Sequence, residues 1–306
     1  MDVSIIIVNY KTKDLVASCV QSIISNSKGF SFEIIIVDNS VDSTEFDFLL
    51  KIKNSFPNLI KLLNPKKNLG FGKANNLGVS IATGDYYYFF NSDALLQNNA
   101  ILILLDYSKK LDSKIVSPNI YTGEGKPAHS FIRQKFGLLI PNFFCDLIHT
   151  ISRILFHKRN DFNYSKMPKR IKGFSTGAAL LVGKKAFQTI GGFDEDIFMY
   201  GEDLLFCQQA IKKKIRIFNI PFAKVIHLEG ASDHSTFSTF KITNYVHGNY
   251  ISRLKLLGKK KAKLYLLSSF FACLLSSFYY KLIKKPIASR NKRLLAKQFL
   301  FEKKLH

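Results

Sequence analysis

The chain has 306 residues, 47% of them hydrophobic, with only 17 Gly and 8 Pro, a composition that excludes disorder and leaves ample material for a large core. Its four cysteines, Cys19, Cys145, Cys207 and Cys273, lie far apart with no Cys-x-x-Cys pair and no neighbouring His, which argues against zinc and for reduced core thiols in the cytosol. The net charge of +23 is lopsided: Arg253 to His306 holds fifteen Lys or Arg against Glu302 alone, so the tail is a device separate from a mildly basic body.

The opening "MDVSIIIVNY" has an acid where a signal peptide needs positive charge, and reads as a first strand. Three early stretches, "VSIIIVN" (Val3 to Asn9), "FEIIIVD" (Phe32 to Asp38) and "DYYYFFN" (Asp85 to Asn91), are strand-length and nearly continuously apolar, the pattern of parallel strands buried on both faces. Between the first two, Leu15, Val16, Cys19, Val20, Ile23 and Ile24 follow a helical period, with Thr12 as N-cap. A weaker strand, Leu59 to Asn64, leads through "NLGFGKANNLG" into a helix over Lys73 to Ala82. Strands alternating with helices predict a doubly wound, mostly parallel α/β sheet.

Beyond Ala94 the pattern predicts a helix near Asn98 to Leu111 and a short strand "KIVSPNI", then an irregular insert over residues 121–172. Within the insert, Lys135 to Arg159 is apolar with basic ends, which also suits a pair of core helices. Order returns with "GAALLVGKKAF", a helix from Glu202 to Lys213, and two strands, "IRIFNI" and "AKVIHL".

In open α/β sheets ligands sit beyond the carboxyl ends of the strands. Asn9, Asp38 and Asp93 end three strands at that edge; one such terminus is ordinary turn chemistry, whereas three converge on one crevice. In "GFGKAN", Gly70 and Gly72 allow close backbone approach, a helix N-terminus favours an anion, and Lys73, Asn75 and Asn76 are donors for ribose or phosphate. The same turn also reads as a tight bend with an Asn-rich cap, and it is a poor dinucleotide fingerprint, because Asn75 stands at the third Gly position.

Six segments, "SIIIVNYK", "IIIVDNSVDST", "NLGFGKANNLGV", "GDYYYFFNSDALL", "GGFDEDIFMYGEDLLF" and "VIHLEGAS", stand in the order and spacing of the family 2 glycosyltransferases with the GT-A fold, and the chain most resembles their bacterial rhamnosyltransferase-like members. The resemblance covers Val3 to Ser232. It implies a GT-A domain over 1–232, and the residues beyond it, 233–306, read as a helical, basic, membrane-associating region. It implies that Asp38 bonds the pyrimidine, and that Asn9, Asn68, Gly70, Gly72, Lys73, Asn75 and Asn76 line the donor site. Asp93 matches the last acid of the family's Asp-x-Asp motif, whose first position here is Asn91. His227 matches a histidine that reaches the metal or diphosphate, although a His closing an apolar strand is by itself more often structural. Asp93 and His227, with diphosphate and water, would suit Mn²⁺ or Mg²⁺.

The same resemblance makes Asp203 the base of an inverting transfer, with Glu202 holding the acceptor or orienting Asp203. Without it, the two acids read as a helix N-terminus that favours negative charge. Gly191, Gly192 and Asp194 match the acceptor-side turn. Leu205 and Gln209 depart from close relatives, which carry Asp and Arg there, and leave the acceptor open. Rhamnose from deoxythymidine-diphosphate rhamnose (dTDP-rhamnose) is the implied transfer, with uridine-diphosphate (UDP) hexoses next and a lipid-linked cell-surface glycan as acceptor. A nucleotidyltransferase would show similar acids but needs an N-terminal Gly-rich phosphate loop, and an inactive nucleotide-sugar-binding scaffold is the non-enzymatic alternative.

Leu264 to Tyr280 is seventeen uncharged residues, about 25 Å as a helix at roughly 1.5 Å per residue, against a hydrocarbon core of about 30 Å. Ser269, Ala272, Ser276 and Tyr280 share one side and Leu267, Phe271, Leu274 and Phe278 another, with lysines at both ends. This predicts peripheral or monotopic attachment to an anionic membrane surface at the cytoplasmic face. A nucleic-acid partner is disfavoured, since the basic residues flank an apolar helix and acids occupy the crevice.

Overall fold

The computed structural model describes residues 1–133, 164–228 and 238–305. The apolar stretch from Lys135 to Arg159, Cys145 and the end of "VIHLEGAS" lie outside them. The described chain forms two compact units. One holds the sheet and its flanking helices; the other holds the C-terminal helices together with Met199–Glu202.

The predicted strands appear as β1 (Val3–Asn9), β2 (Phe32–Asp38), β3 (Ile60–Leu63) and β4 (Tyr86–Asn91), joined by α1 (Lys13–Asn26), α2 (Ser43–Ser55) and α3 (Phe71–Ser80). They continue through β5 (Ala94–Leu96), α4 (Ala100–Lys110), β6 (Ile115–Tyr121), β7 (Phe131–Arg133), β8 (Lys169–Arg170), β9 (Gly173–Ser175), β10 (Ala179–Gly183), α5 (Lys184–Ile190), α6 (Glu202–Lys212) and β11 (Ile217–His227). The main sheet runs in the order β3-β2-β1-β4-β10-β6-β11-β5, with β8 on β11. β1 pairs in parallel with both β2 and β4, whereas β10 enters antiparallel between β4 and β6. The chain order therefore reverses at β1, which opens a crevice at the carboxyl ends of β1, β2 and β4.

The continuous apolar runs are explained by burial on both faces. Ile5, Ile7, Ile34, Ile36, Tyr88 and Phe90 pack under α1, α2 and α4. Their alternates Ile6, Ile35, Val37, Tyr87 and Phe89 pack against α3, α5 and α6. A one-residue slip would exchange the two sets, so the register Asn9 to Asp38 is fixed by both cores at once. The buried cysteines Cys19 and Cys207 are free thiols, and Cys273 is buried as well.

Two expectations need correction. "IRIFNI" and "AKVIHL" are one strand, β11, because Pro221 falls at a register shift between Ile220 and Lys224 where no ladder donor is required. Helix α3 begins at Phe71, two residues earlier than expected, because Gly70 at φ +78° turns the chain and the Phe71 amide then bonds the Phe198 carbonyl at 2.9 Å.

At the opposite edge of the sheet a polar knot holds the strand starts together. Glu33 is buried, accepts from Ser4 Oγ and from Thr83 N and Oγ1, each at 2.7 Å, and pairs with Lys61 at 2.7 Å. Burial raises its pKa, but the bonds from Lys61, Ser4 and Thr83 outweigh burial and pull it to about 2. A depressed carboxylate contributes stability that is present above its unfolded value and is lost as pH falls toward 2. We expect Glu33→Gln to cost on the order of 1–3 kcal/mol at pH 7, and the difference from the parent chain to shrink in urea melts taken below about pH 4.

Candidate active site

Four groups meet at the carboxyl edge, and the structure assigns them different duties. Asn9 is fully buried. Its Nδ2 lies 2.9 Å from Asp38 Oδ1, 2.9 Å from Ser40 Oγ and 3.0 Å from Glu45 Oε2. Its Oδ1 accepts from Thr12 N at 3.1 Å and Thr12 Oγ1 at 2.9 Å. Asn9 is thus a clamp that orients Asp38. Thr12 likewise spends its hydroxyl on Asn9 and gives α1 no side-chain cap.

Asp38 is 1% exposed. Its Oδ1 accepts from Asn9 and from Ser40 N, while Oδ2 is buried without a hydrogen-bond partner. An unpartnered buried carboxylate oxygen is costly unless a ligand donor completes it. The imide N–H of a pyrimidine base is a donor of that kind.

At the end of β4, Asp93 Oδ1 lies 3.1 Å from His227 Nε2, and Asn91 Nδ2 lies 3.2 Å from the same nitrogen. The pairing of β5 with β11 brings His227 opposite Ala94, next to Asp93. One ring nitrogen can donate to a carboxylate or accept from an amide, but not both. Asn91 Oδ1 is also buried without a partner. An oxygen–nitrogen set of Asp93, His227 and the Asn91 carbonyl fits a hard or borderline divalent ion, and a 3.1 Å separation suits neighbouring ligands on bonds of about 2.1 Å. No cluster of three His, Cys, Asp or Glu occurs among the described residues, so diphosphate and water would have to complete the shell.

The polar side chains of the glycine loop are engaged within the protein. Asn75 is 1% exposed and donates to the Phe71 carbonyl at 2.9 Å. Asn76 donates to the Phe193 carbonyl at 2.8 Å and accepts from Phe193 N at 3.0 Å. Lys73 pairs with Glu195 at 2.6 Å, and Asn68 Oδ1 caps the Gly70 amide at 3.0 Å. These polar groups brace the loop against residues 193–198, so Asn75 and Asn76 have structural partners in addition to the donor-binding role expected of them. Gly70 is irreplaceable here: a Cβ would lie 2.2 Å from the Phe198 carbonyl oxygen. Gly72 is buried within the first turn of α3. Gly191 and Gly192, at φ +99° and +78°, make the predicted bend, and Asp194 Oδ1 accepts from Asp196 N at 3.1 Å in a local turn.

Asp203, in the first turn of α6, is half-buried, and its Oδ1 accepts from Leu204 N at 2.7 Å. Burial pushes its pKa up to about 6 despite bonds from the Leu204 and Gly177 amides. Gly177 was invisible to sequence reasoning, yet it organises this corner. A Cβ on it would touch Phe71 at 3.6 Å and Asp203 at 3.7 Å, and the carbonyl of the next residue, Ala178, accepts from Asn91 N at 3.0 Å. Two consecutive residues ahead of β10 therefore tie the Asp93 strand to Asp203. Glu202, 7% exposed, belongs to the second unit. Leu205 is buried in the apolar interior, which accounts for an apolar residue at that position.

The family described as glycosyl transferase family 2 matches residues 4–191. The rhamnosyltransferase WbbL of Escherichia coli K12 is 24% identical over 243 residues, covering 77% of this chain and 87% of that protein. The dTDP-rhamnosyl transferase RfbF of Shigella flexneri is 25% identical over 212 residues, covering 68% of this chain and 64% of that one. The mannosyltransferase PcManGT of Pyrobaculum calidifontis, solved with GDP-Man and Mn²⁺, superposes with a TM-score of 0.59 at 13% identity, covering 98% of this chain and 87% of that one. The architecture is the GT-A fold.

Proposed function

The chain belongs to glycosyltransferase family 2 and transfers a sugar from a nucleotide-sugar donor, and from that premise we propose an inverting, metal-dependent enzyme that moves rhamnose from dTDP-rhamnose to a hydroxyl of a lipid-linked cell-surface glycan. The rhamnosyl donor is supported by two relatives that carry that name, WbbL and RfbF. UDP-hexoses stand second.

The observation that carries the chemistry is the tie through Gly177 and Ala178, which sets a carboxylate of pKa about 6 beside the Asp93 strand. At neutral pH Asp203 is mostly ionised yet basic enough to take a proton. It removes the acceptor hydroxyl proton as that oxygen bonds the anomeric carbon. The bond from the anomeric carbon to the diphosphate oxygen breaks on the opposite face, and its electron pair leaves with the nucleotide diphosphate. Asp38, held by Asn9, supplies the acceptor oxygen for the base. Asp93 and His227, with the Asn91 carbonyl, would hold Mn²⁺ or Mg²⁺, which neutralises charge on the leaving diphosphate.

The test is a calorimetric panel of dTDP-rhamnose, UDP-glucose, UDP-galactose and GDP-mannose, each with Mn²⁺ and with chelator. We expect dTDP-rhamnose to bind at least about tenfold tighter than the others, and only with metal. Tighter binding of a UDP-hexose overturns the rhamnose assignment, and equal binding under chelator overturns the metal.

A further inference from the structure

The second unit contains α7 (Thr239–Leu257), α8 (Lys259–Leu282) and α9 (Pro286–Leu305). It has its own core, with the Arg253 guanidinium stacked 4.0 Å over the Tyr265 ring, and Glu302, the lone acid of the tail, buried against His247 at 2.7 Å. Helix α8 packs on α9 through its small side: Ser269, Ala272, Cys273 and Ser277 are buried, and Ser277 Oγ donates to the Ser289 carbonyl at 2.9 Å. Its other side carries Leu264, Phe271, Leu275, Phe278 and Leu282, all between 53% and 65% exposed. Intervals of seven, four, three and four residues put these five in one stripe. Beyond the buried Tyr265 and Leu266 the polarity is inside out, with Ser269 and Ser277 in and Phe271, Leu275 and Phe278 out, the reverse of what water selects. Helix α9 exposes Ile287, Leu294 and Phe301 at seven-residue intervals.

We infer that α8 lies flat in the surface of an anionic bilayer, with this stripe in the acyl boundary, and that it does not span. Charge selects the partner. Exposed Lys259, Lys260 and Lys261 precede the stripe, and exposed Lys281, Lys284 and Lys285 follow it, placed to meet anionic headgroups. A second copy of the chain is the poorer occupant, because it would bring two strongly basic tails together. By length and composition α8 could cross a membrane. Its partner prevents that: α9 packs back along α8, with Tyr265 meeting Phe299 towards one end and Ser277 meeting Ser289 towards the other. Arg290, Lys292, Arg293 and Lys297 on α9 would have to follow α8 into hydrocarbon, which their charge forbids. The inference stands apart from the proposed donor and base, neither of which it uses.

The experiment floats the full chain with phosphatidylcholine vesicles, with and without phosphatidylglycerol. We expect flotation on the anionic vesicles, reduced at least about tenfold by the double change Leu275→Glu and Phe278→Glu. The circular-dichroism melt should not move, because both side chains are exposed. On intact vesicles a Lys284→Cys thiol should react with impermeant maleimide added outside, above the parent background. The inference is overturned if the parent chain does not float, if the double variant floats equally, or if Lys284→Cys is protected. It is also overturned if light scattering shows a dimer that the double variant dissolves, since the stripe would then face a second copy.

Discussion

Asp203→Asn should lower sugar transfer by roughly 10²- to 10⁴-fold, the usual contribution of a positioned base, while nucleotide-sugar binding is retained. The amide keeps an oxygen for the Leu204 amide, so the start of α6 survives. The same substitution should make the protein more stable. A carboxyl raised from its ordinary value to about 6 favours its neutral form in the fold, so the stability it contributes is complete below its unfolded pKa and is lost as pH rises through about 6. At pH 7 to 8 the ionised group is therefore a burden, and the neutral amide should relieve on the order of 1–2 kcal/mol, a gain that vanishes below about pH 4. Activity of the parent enzyme should fall on the acid side with an apparent pKa near 6. Transfer assays, donor calorimetry and thermal melts across pH read all of these, and undiminished transfer by the variant removes Asp203 from the mechanism.

Asp93→Ala should abolish metal-dependent donor binding and reduce transfer by at least about a thousandfold, because it removes the one carboxylate of the cation set. His227→Ala should weaken Mn²⁺ dependence by roughly 10- to 100-fold. Folding is a poor alternative explanation. The backbone carbonyl of Asp93 accepts from Leu228 N at 2.9 Å, and the ladder between β5 and β11 does not use the carboxylate. Calorimetry of dTDP with and without Mn²⁺ checks this directly. A variant whose binding still rises with Mn²⁺ as in the parent places the ion elsewhere.

Much of this arrangement was legible because its signals are dense and local. β1, β2 and β4 are apolar without interruption, which two cores demand, and each ends on a polar residue at one edge. The meeting of Asp93 with His227 followed from matching motifs, although the chain separates them widely. What could not be read depends on partners far apart in sequence. That the Asn9 amide lies against Asp38, Ser40 and Glu45, from a strand end, a loop and a helix, is one such case. Asn76 reads as a donor for a ligand, and in space it also serves the Phe193 carbonyl, 117 residues away. Glu45 and Gly177 carry no motif of their own; an acid in the first turn of α2 looks like ordinary helix chemistry. Inverted burial in α8 was also hidden, because periodicity shows two faces and not which of them is covered.

The antiparallel entry of β10 has a consequence for how such an enzyme diversifies. β6 and β10 are neighbours in the sheet, with Val116 opposite Leu181, although the whole stretch from Thr122 to Ala178 intervenes in sequence. Both ends of that excursion are anchored by the ladder, and the spacing of the reacting groups is set by the last two residues before β10. The excursion is thus a cassette held at both ends: the stretch between β7 and β8 can change in length while the ladder keeps Gly177 and Ala178, and with them the Asp203 carboxylate, in register with β4.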